Sequence, residues 1–509
     1  MKSIKYLFLI LGISLAGCSD LEEQPVGLLS PDGFFSSPAD IQTVIDGAFT
    51  HAINEKFWGR KLSIALMLRS DMVNLQSTQT RRVEMDQLTT LASNGMLTEY
   101  WLKAYQGIAA ANLAIEGAAS VEAADGIKNP VTAQAYFARA FYYFHLVRQF
   151  GGVPYVDAPV TDAEVAGAIT RTPAAEVYAN ILSDLTFAKD WLPNTQSSRA
   201  IPAKSAASAY IALVHLTMGN YQAAYTEAKE VIDNKGTYDL ELDPNFQNLF
   251  NAEVIDGSKE PIFALDYNNV EAPNNAYDQI APMTGIRGDD RNSGGGWSVA
   301  VPKLAVYESF QEGDYRRTVS FEEEASIGGE VVPFTQFDIS GHQHAANQPY
   351  IAKYSRYPGA FARGSGRATS HNYSMMRYAE VLLIAAEAAV ETGNNAEAVD
   401  YINQVRARAR MGGATKTGAD TPVTVAPSDV PADITGTVTV ADVLEERRIE
   451  LAFEGKRWYD IARREMGAEV YGPNGLEGEK PNFSATDYLL PIPGDEIDRN
   501  SNLTQNPGY

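Results

Sequence analysis

The residues best suited to binding a ligand lie in a glycine-rich stretch with little apolar periodicity. They combine aromatic, acidic and basic side chains: Tyr277, Arg287, Asp289, Asp290, Arg291 and Trp297. An aromatic ring stacks on the apolar C–H face of a sugar, while carboxylate, amide and guanidinium groups hydrogen-bond the hydroxyls. Trp297 follows three glycines and is the leading candidate for a ligand contact, the alternative being a tryptophan packed beneath the loop.

A second polar group follows an early apolar segment and is assigned to the same ligand surface: Arg69, Asp71 and Asn74. Catalytic motifs are missing from the sequence, which has neither a Gly-x-Ser-x-Gly elbow nor a phosphate-binding glycine-rich loop ending in Lys-Ser/Thr. A glycosidase would need two carboxylates roughly 5–10 Å apart, a geometry that sequence does not define. The residues therefore favour binding over enzymatic activity, with a glycosidase as the alternative.

Metal binding is an alternative role for two sets of loop residues. Asp289, Asp290 and Asn292 carry the oxygen atoms that calcium takes as ligands. His342 and His344 flank a single residue and could share one strand face, but no cysteine accompanies them. A solvated loop is the simpler interpretation of the histidines, and the sequence predicts neither a metal nor a cofactor.

The amino terminus predicts export and lipid attachment. Two lysines precede an apolar run at residues 6–15, which is too short to span a membrane and is typical of a signal peptide, here residues 1–17. Leu15-Ala16-Gly17-Cys18 resembles the lipobox of bacterial lipoproteins, in which the cysteine is acylated, with palmitate among its chains. The alternative is an ordinary secretory signal. Cys18 is the only cysteine of the sequence, so no disulfide is predicted.

The composition is that of a large folded protein. Of 509 residues, 45% are hydrophobic and 21% are charged, and the formal net charge is −23. This charge disfavours nucleic acid and electrostatic membrane binding, because both surfaces present phosphate. The 26 tyrosines and five tryptophans suit stacking on sugars, although most are expected in the core.

Apolar residues recur at helical spacing through most of the chain, and the helices come in pairs. Three pairs are predicted within residues 18–234 and a fourth within residues 374–509. Small residues at close-packing positions give the pairs tetratricopeptide character, a generic helical bundle being the alternative. Residues 235–373, rich in Gly, Asn, Pro and Asp, predict an irregular ligand-binding insertion with short strands. The predicted fold is mainly α, a tetratricopeptide-like helical-repeat scaffold with a large loop-rich insertion.

The segment from Glu445 to Arg463 is the densest mixture of charged and apolar residues in the chain. Its apolar residues recur at helical spacing, which predicts a docking helix with a solvated charged edge. Charged residues on that edge have the i,i+3 spacing for pairing: Arg447 with Glu450, and Glu454 with Arg457. Trp458 occupies a core position in this pattern and is predicted to be structural, as is Trp101.

Taken in order along the chain, these features resemble the SusD/RagB family, the surface lipoproteins of Bacteroidetes that bind glycans. The resemblance is carried by the lipobox and by four further stretches: Pro31-Asp32-Gly33-Phe34-Phe35, Arg377-Tyr378-Ala379-Glu380, residues 446–463 and Leu489-Leu490-Pro491-Ile492-Pro493. The acidic residues 19–23 also resemble the surface-export signal of Bacteroidetes lipoproteins.

The resemblance implies how such a protein works. It implies a tetratricopeptide-like scaffold without catalytic activity, anchored at the outer face of the outer membrane through lipid on Cys18. It also implies capture of an oligosaccharide or polysaccharide and delivery to a SusC-type TonB-dependent transporter, over which the protein sits as a hinged lid. The glycan is not identified, and a peptide- or protein-binding surface lipoprotein on the same scaffold is the alternative.

Overall fold

Paired helices form the scaffold of the computed structural model, which describes residues 31–267, 277–291, 296–340, 347–360 and 368–509. Ten helices precede the insertion: α1 (Pro31–Phe34), α2 (Pro38–Ala52), α3 (Lys61–Leu68), α4 (Thr80–Asp86), α5 (Gly95–Ser120), α6 (Asp125–Phe150), α7 (Ala163–Ala168), α8 (Ala174–Trp191), α9 (Lys204–Thr217) and α10 (Tyr221–Asp233).

The insertion and the carboxy-terminal part contribute shorter helices and one more long pair. These are α11 (Ile280–Thr284), α12 (Leu304–Glu308), α13 (Tyr315–Ser320), α14 (Tyr378–Glu391), α15 (Asn395–Ala409), α16 (Val440–Glu450), α17 (Arg457–Arg463), α18 (Gly467–Val470) and α19 (Gly494–Arg499). Short 3-10 turns lie at Phe246–Phe250, Ile255–Gly257, Phe334–Ser340 and Ala485–Tyr488. Among the described helices, none combines the length and the apolar character needed to cross a membrane.

Four helix pairs stack into one array. Helix α2 packs on α5, α6 on α8, α9 on α10, and α14 on α15. Contacts of α5 with α6, α8 with α9 and α10 with α14 join successive pairs, so the fourth pair continues the array across the insertion. At Gly219, a φ of +75° lets the chain reverse between α9 and α10. The predicted fold class, a mainly helical tetratricopeptide-like scaffold, is confirmed, and Trp101 and Trp458 are buried in the core as predicted.

Short antiparallel strands join the insertion to the helices. They are β1 (Asn74–Leu75), β2 (Pro261–Leu265), β3 (Ala300–Val301), β4 (Phe321–Glu322), β5 (Glu324–Ile327), β6 (Glu330–Pro333), β7 (Tyr350–Ile351), β8 (Tyr373–Arg377), β9 (Gly413–Lys416) and β10 (Pro422–Val425). They pair two by two, as β1 with β3, β2 with β8, β4 with β7, β5 with β6 and β9 with β10. The pairing of β1 with β3 matters most here, because it places an early segment beside the insertion.

The segment from Glu445 to Arg463 forms two helices, α16 and α17, and the solvated edge predicted for it is wrong. Its charged side chains are almost all buried: Glu446, Arg447, Arg448, Glu450, Glu454, Arg457 and Asp460. The reason is that ion-pair partners arrive from distant parts of the chain. Arg377 pairs with Glu450 at 2.6 Å and with Glu454 at 2.9 Å, and Arg316 pairs with Glu446 at 2.5 Å. Ion pairing and hydrogen bonding with such partners offset part of the free energy that each charge loses on leaving water.

Candidate ligand-binding cleft

A cleft of about 920 Å³ lies where β1 pairs with β3. Ligand sites in proteins typically enclose roughly 300–1,000 Å³, so the volume suits an extended small ligand. The described lining residues come from three stretches of chain: Arg60, residues 75–79 with Arg81 and Arg82, and Arg287 with Trp297 and Val299.

Backbone pairing holds the two long walls of the cleft together. Leu75 lies opposite Ala300 in the β1–β3 register, and the Gln76 amide donates to the Val299 carbonyl at 2.8 Å. The first wall, residues 75–79, leads directly into helix α4, which carries Arg81 and Arg82. Most of the lining residues lie on irregular backbone, which the β1–β3 pairing and helix α4 hold in place.

Trp297 occupies a constrained position at the cleft. A Cβ on the preceding Gly296 would lie 2.2 Å from the Gly285 carbonyl, so only glycine fits there. The Trp297 amide donates to the Pro282 carbonyl at 2.6 Å, and the Arg287 guanidinium donates to the Trp297 carbonyl at 3.2 Å. The indole is half-buried, packed against the core on one side, and borders the cleft. The backbone at Trp297 is thus held in place, and a half-buried ring at the edge of a cleft is suited to stacking on a sugar.

Arginines dominate the charge of the cleft. Four line it, and the described lining residues include no aspartate or glutamate. Arg60 pairs with Glu55, and Arg81 lies 3.8 Å from Glu99. Burial, followed by repulsion from Arg60 and Arg81, lowers the pKa of Arg82 to about 10. The cleft is therefore positively charged in a protein whose formal net charge is −23.

Three of the predicted ligand residues, Asp289, Asp290 and Arg291, bind other parts of the protein rather than lining the cleft. Arg291 pairs with the buried Asp289 at 2.5 Å and with Glu322 at 3.2 Å. Asp290 accepts from Ser326 Oγ at 2.9 Å and from the Gly329 amide at 2.8 Å, in the β5–β6 turn. These hydrogen bonds keep the pKa of Asp290 below its ordinary value. Their side chains bind protein groups, and the structure does not bring them into the cleft lining.

Neither metal alternative is supported by the described geometry. Asp289 uses both carboxylate oxygens on Arg291, and Asn292 lies outside the described residues, as do His342 and His344. No group of three or more His, Cys, Asp or Glu side chains within the described ranges is arranged to hold a metal ion. Cys18 also lies outside the described residues.

The early predicted group divides between the core and the edge of the cleft. Arg69 is fully buried, 4.1 Å above the Trp458 ring, and donates to the Asp487 carbonyl. Asp71 is buried and pairs with Arg457 at 2.7 Å. Asn74 is half-buried in β1, next to the lining residue Leu75. Arg69 and Asp71 thus join the first wall to α17 rather than to a ligand.

Tyr277 is half-buried and lies shortly before α11. The Gln279 amide in that segment donates to the Gly59 carbonyl at 2.8 Å, which places the segment beside the residue preceding Arg60. Of the predicted ligand residues, the structure therefore brings Trp297 and Arg287 together in the cleft lining. It does not bring Arg69, Asp71, Asp289, Asp290 or Arg291 there.

The amides and arginines between residues 76 and 82, which line the cleft, were not among the predicted ligand residues. Gln76-Ser77-Thr78-Gln79 and Arg81-Arg82 form a polar run shortly after the buried Met72 and Val73. That change from apolar to polar residues was the available signal. It was ambiguous because a polar run after a buried segment is more often plain surface.

A helical-repeat scaffold with a polar cleft bordered by tryptophan is typical of a ligand-binding protein. Sequence comparison names the family. The profile of the SusD family matches residues 335–509, and a profile described as "Starch-binding associating with outer membrane" matches residues 21–216. SusD-like protein P2 of Formosa agariphila is 49% identical to this chain, with all of both chains covered. SusD-like protein P25 of the same organism is 26% identical over 99% of each. The chain belongs to the SusD family.

Solved structures show the same fold at low sequence identity. A laminarin-binding SusD-like protein aligns with a TM-score of 0.76 and 22% identity, covering 93% of this chain and all of the other. A SusD homologue from Bacteroides thetaiotaomicron aligns with a TM-score of 0.78 and 19% identity, covering 94% and 98%. Surface glycan-binding protein A from Bacteroides fluxus aligns with a TM-score of 0.75 and 23% identity, covering 93% and 100%.

Proposed function

We propose that this protein is a cell-surface glycan-binding lipoprotein. It captures an oligosaccharide or polysaccharide in the cleft between residues 75–82 and Trp297, and delivers it to a SusC-type TonB-dependent transporter. It binds and releases the glycan without cleaving it. The observation that carries the proposal is the half-buried indole of Trp297 at the edge of a polar cleft.

The chemistry of the cleft supports a carbohydrate over an apolar ligand. Amide and hydroxyl side chains of Gln76, Ser77, Thr78 and Gln79 line one wall, opposite the indole. Sugars present hydroxyls at their edges and C–H groups on their faces, so such a combination satisfies both. Two of the solved structures that share the fold bind laminarin or surface glycan according to their names, which agrees with this assignment.

The anchor in this proposal is lipid on Cys18. The sequence before it has the pattern of a lipoprotein signal, and one matched family is described as associating with the outer membrane. The transporter supplies the next step, since a glycan held at the cell surface still has to cross the outer membrane. A peptide or protein ligand on the same scaffold is the alternative outcome of the test below.

The test is retention of polysaccharides by the purified protein lacking residues 1–18. We expect at least one polysaccharide of a broad panel to bind, and Trp297→Ala to weaken that binding about tenfold to a hundredfold. This is because covering a large side chain contributes about 1.5–3 kcal/mol. Affinity electrophoresis and calorimetry measure the change. The affinity of Trp297→Phe, which keeps an aromatic face, is expected to lie between those of the unmodified protein and Trp297→Ala.

Trp191→Ala is the matched control. Trp191 is likewise half-buried against the core, but it ends α8 and does not line the cleft. Equal melting temperatures of the two alanine variants would show that the loss at Trp297 is local. Undiminished glycan binding by Trp297→Ala overturns the site, and retention of peptides but of no glycan overturns the function.

A further inference from the structure

Arg82 stands out among the cleft residues because a buried cation normally has a counter-ion. Arg82 is buried, with only 8% of its surface exposed. Within the described ranges it forms no ion pair, and its hydrogen bond goes to the Met283 sulfur at 3.6 Å, a weak acceptor. Burying a guanidinium without a carboxylate is costly, so the fold retains an expensive arrangement at this point.

The neighbouring arginines add to the unbalanced charge. The buried Nε of Arg60 has no hydrogen-bond partner among the described residues, although Nη2 of the same side chain pairs with Glu55. Glu99 is shared by Arg81 and Lys61, and it lies closer to the lysine: the distance is 2.8 Å to Lys61 and 3.8 Å to Arg81. Neither glutamate lines the cleft. The local carboxylates are therefore already used, and the cleft keeps a surplus of positive charge.

The arginines line the volume that a ligand would occupy. Arg60, Arg81 and Arg82 lie on one side and Arg287 with Trp297 on the other, and all five line the same cavity. Guanidinium groups bind planar or tetrahedral oxyanions with paired N–H donors, which gives them a preference for carboxylate and sulfate over neutral hydroxyls.

We propose that the cleft is selective for polysaccharides with negatively charged substituents, sulfate esters or uronate carboxylates. Arg82 and its neighbours receive the anionic group while Trp297 stacks on a sugar ring. This rests on the proposed glycan-binding function and names its substrate class. The ligand supplies the counter-charge that the protein itself does not provide for Arg82.

The experiment compares matched polysaccharides that differ only in charge. A sulfated polysaccharide is paired with its desulfated form, and a uronate polysaccharide with its carboxyl-reduced form. The protein lacking residues 1–18 is expected to bind at least one charged member at least about tenfold more tightly than its neutral counterpart, and the preferred pair tells sulfate from carboxylate. Arg82→Gln is expected to remove most of this preference.

Two further variants separate loss of charge from loss of folding. Arg81→Gln changes a partly exposed side chain and is expected to reduce the preference without affecting the melting temperature. Arg499→Gln, on an exposed arginine of α19 outside the cleft lining, is expected to leave the preference for charged polysaccharides unchanged. Equal binding of charged and neutral members by the unmodified protein overturns the selectivity but leaves glycan binding standing. Binding of no member of either kind would instead count against the proposed function.

Discussion

At the scale of single residues, the polar side chains differ in whether the protein already satisfies them. Asp71 and Asp289 are buried against Arg457 and Arg291, with their carboxylate oxygens engaged. Arg82 is also buried, with 8% of its surface exposed, and has no carboxylate partner among the described residues. A side chain whose charge is already neutralised has little to gain from a ligand, whereas an unmatched one gains a counter-ion. This contrast is the reason for placing recognition at Arg82 and Trp297.

Asp278 gives a residue-scale prediction about pH. Burial raises the pKa of Asp278 to about 7, although hydrogen bonds from Thr369 and the Ile280 amide work against the increase. The ordinary value is 3.8, so the folded state binds this proton more tightly than the unfolded state does. The free energy of unfolding should therefore fall as pH rises from about 4 to about 7, by up to about 4 kcal/mol from this group.

Asp278→Asn should remove that part of the pH dependence. Urea unfolding at about pH 5 and about pH 8 measures it, with Asp498→Asn, on an exposed carboxylate, as the control. A smaller slope should remain in the variant, because burial also raises the pKa of Glu477 to about 7. An unchanged slope in Asp278→Asn would show that Asp278 is ionised in the folded protein.

At the scale of elements, buried ion pairs attach the insertion to the helical array. Glu450, at the end of α16, accepts from Arg377 at the end of β8 and from Arg316 in α13. Arg408 in α15 reaches the same carboxylate and also pairs with Glu260 at 2.7 Å, just before β2. One carboxylate thus connects α13 of the insertion with β8 and with the scaffold helices α15 and α16. Its removal should affect folding rather than ligand binding.

Glu450→Gln is predicted to destabilise the protein by about 3–5 kcal/mol, since it leaves three buried arginines short of a negative charge. Burial by itself would raise the pKa of Glu450, but Arg408, Arg377 and Arg316 lower it well below its ordinary range. The matched control is Glu496→Gln, which breaks a solvent-exposed pair with Arg499 and should cost at most about 1 kcal/mol. Guanidinium unfolding compares them, and similar losses in both variants would contradict the role given to the buried network.

The helix pairs could be predicted from the sequence because their signals are local. Gly219 and the periodic apolar residues around it lie within two helices, and the structure places them as the spacing indicates. The burial of Glu450 could not be predicted, because its partners Arg377 and Arg316 are far away in sequence. The cleft shows both cases. Trp297 was distinguished by the glycines beside it, whereas Arg82 joins it only through the β1–β3 pairing.

At the scale of the whole molecule, the cleft is an exception on an acidic protein. A net charge of −23 repels anionic polymers from most of the surface, and attraction is concentrated where four arginines converge. General repulsion with local attraction favours one binding mode over many weak ones. Helix α4 contacts β1 and helix α3 contacts β3. Because these contacts hold the cleft together, recognition should depend on the cleft residues rather than on the overall charge.

The proposed attachment at the cell surface depends on Cys18. If Cys18 carries the anchor, Cys18→Ser should move the protein from the outer-membrane fraction to the soluble fraction. Each buried methylene of an acyl chain contributes about 0.8 kcal/mol, so loss of two or more chains should abolish stable attachment. Fractionation with immunoblotting measures this, and Ser19→Ala, which keeps the cysteine, should stay in the membrane.

The same membranes, solubilised in detergent, should yield a barrel transporter co-purifying with the unmodified protein. Retention of Cys18→Ser in the membrane fraction would refute the lipid anchor, and the absence of any co-purifying barrel would refute the delivery step.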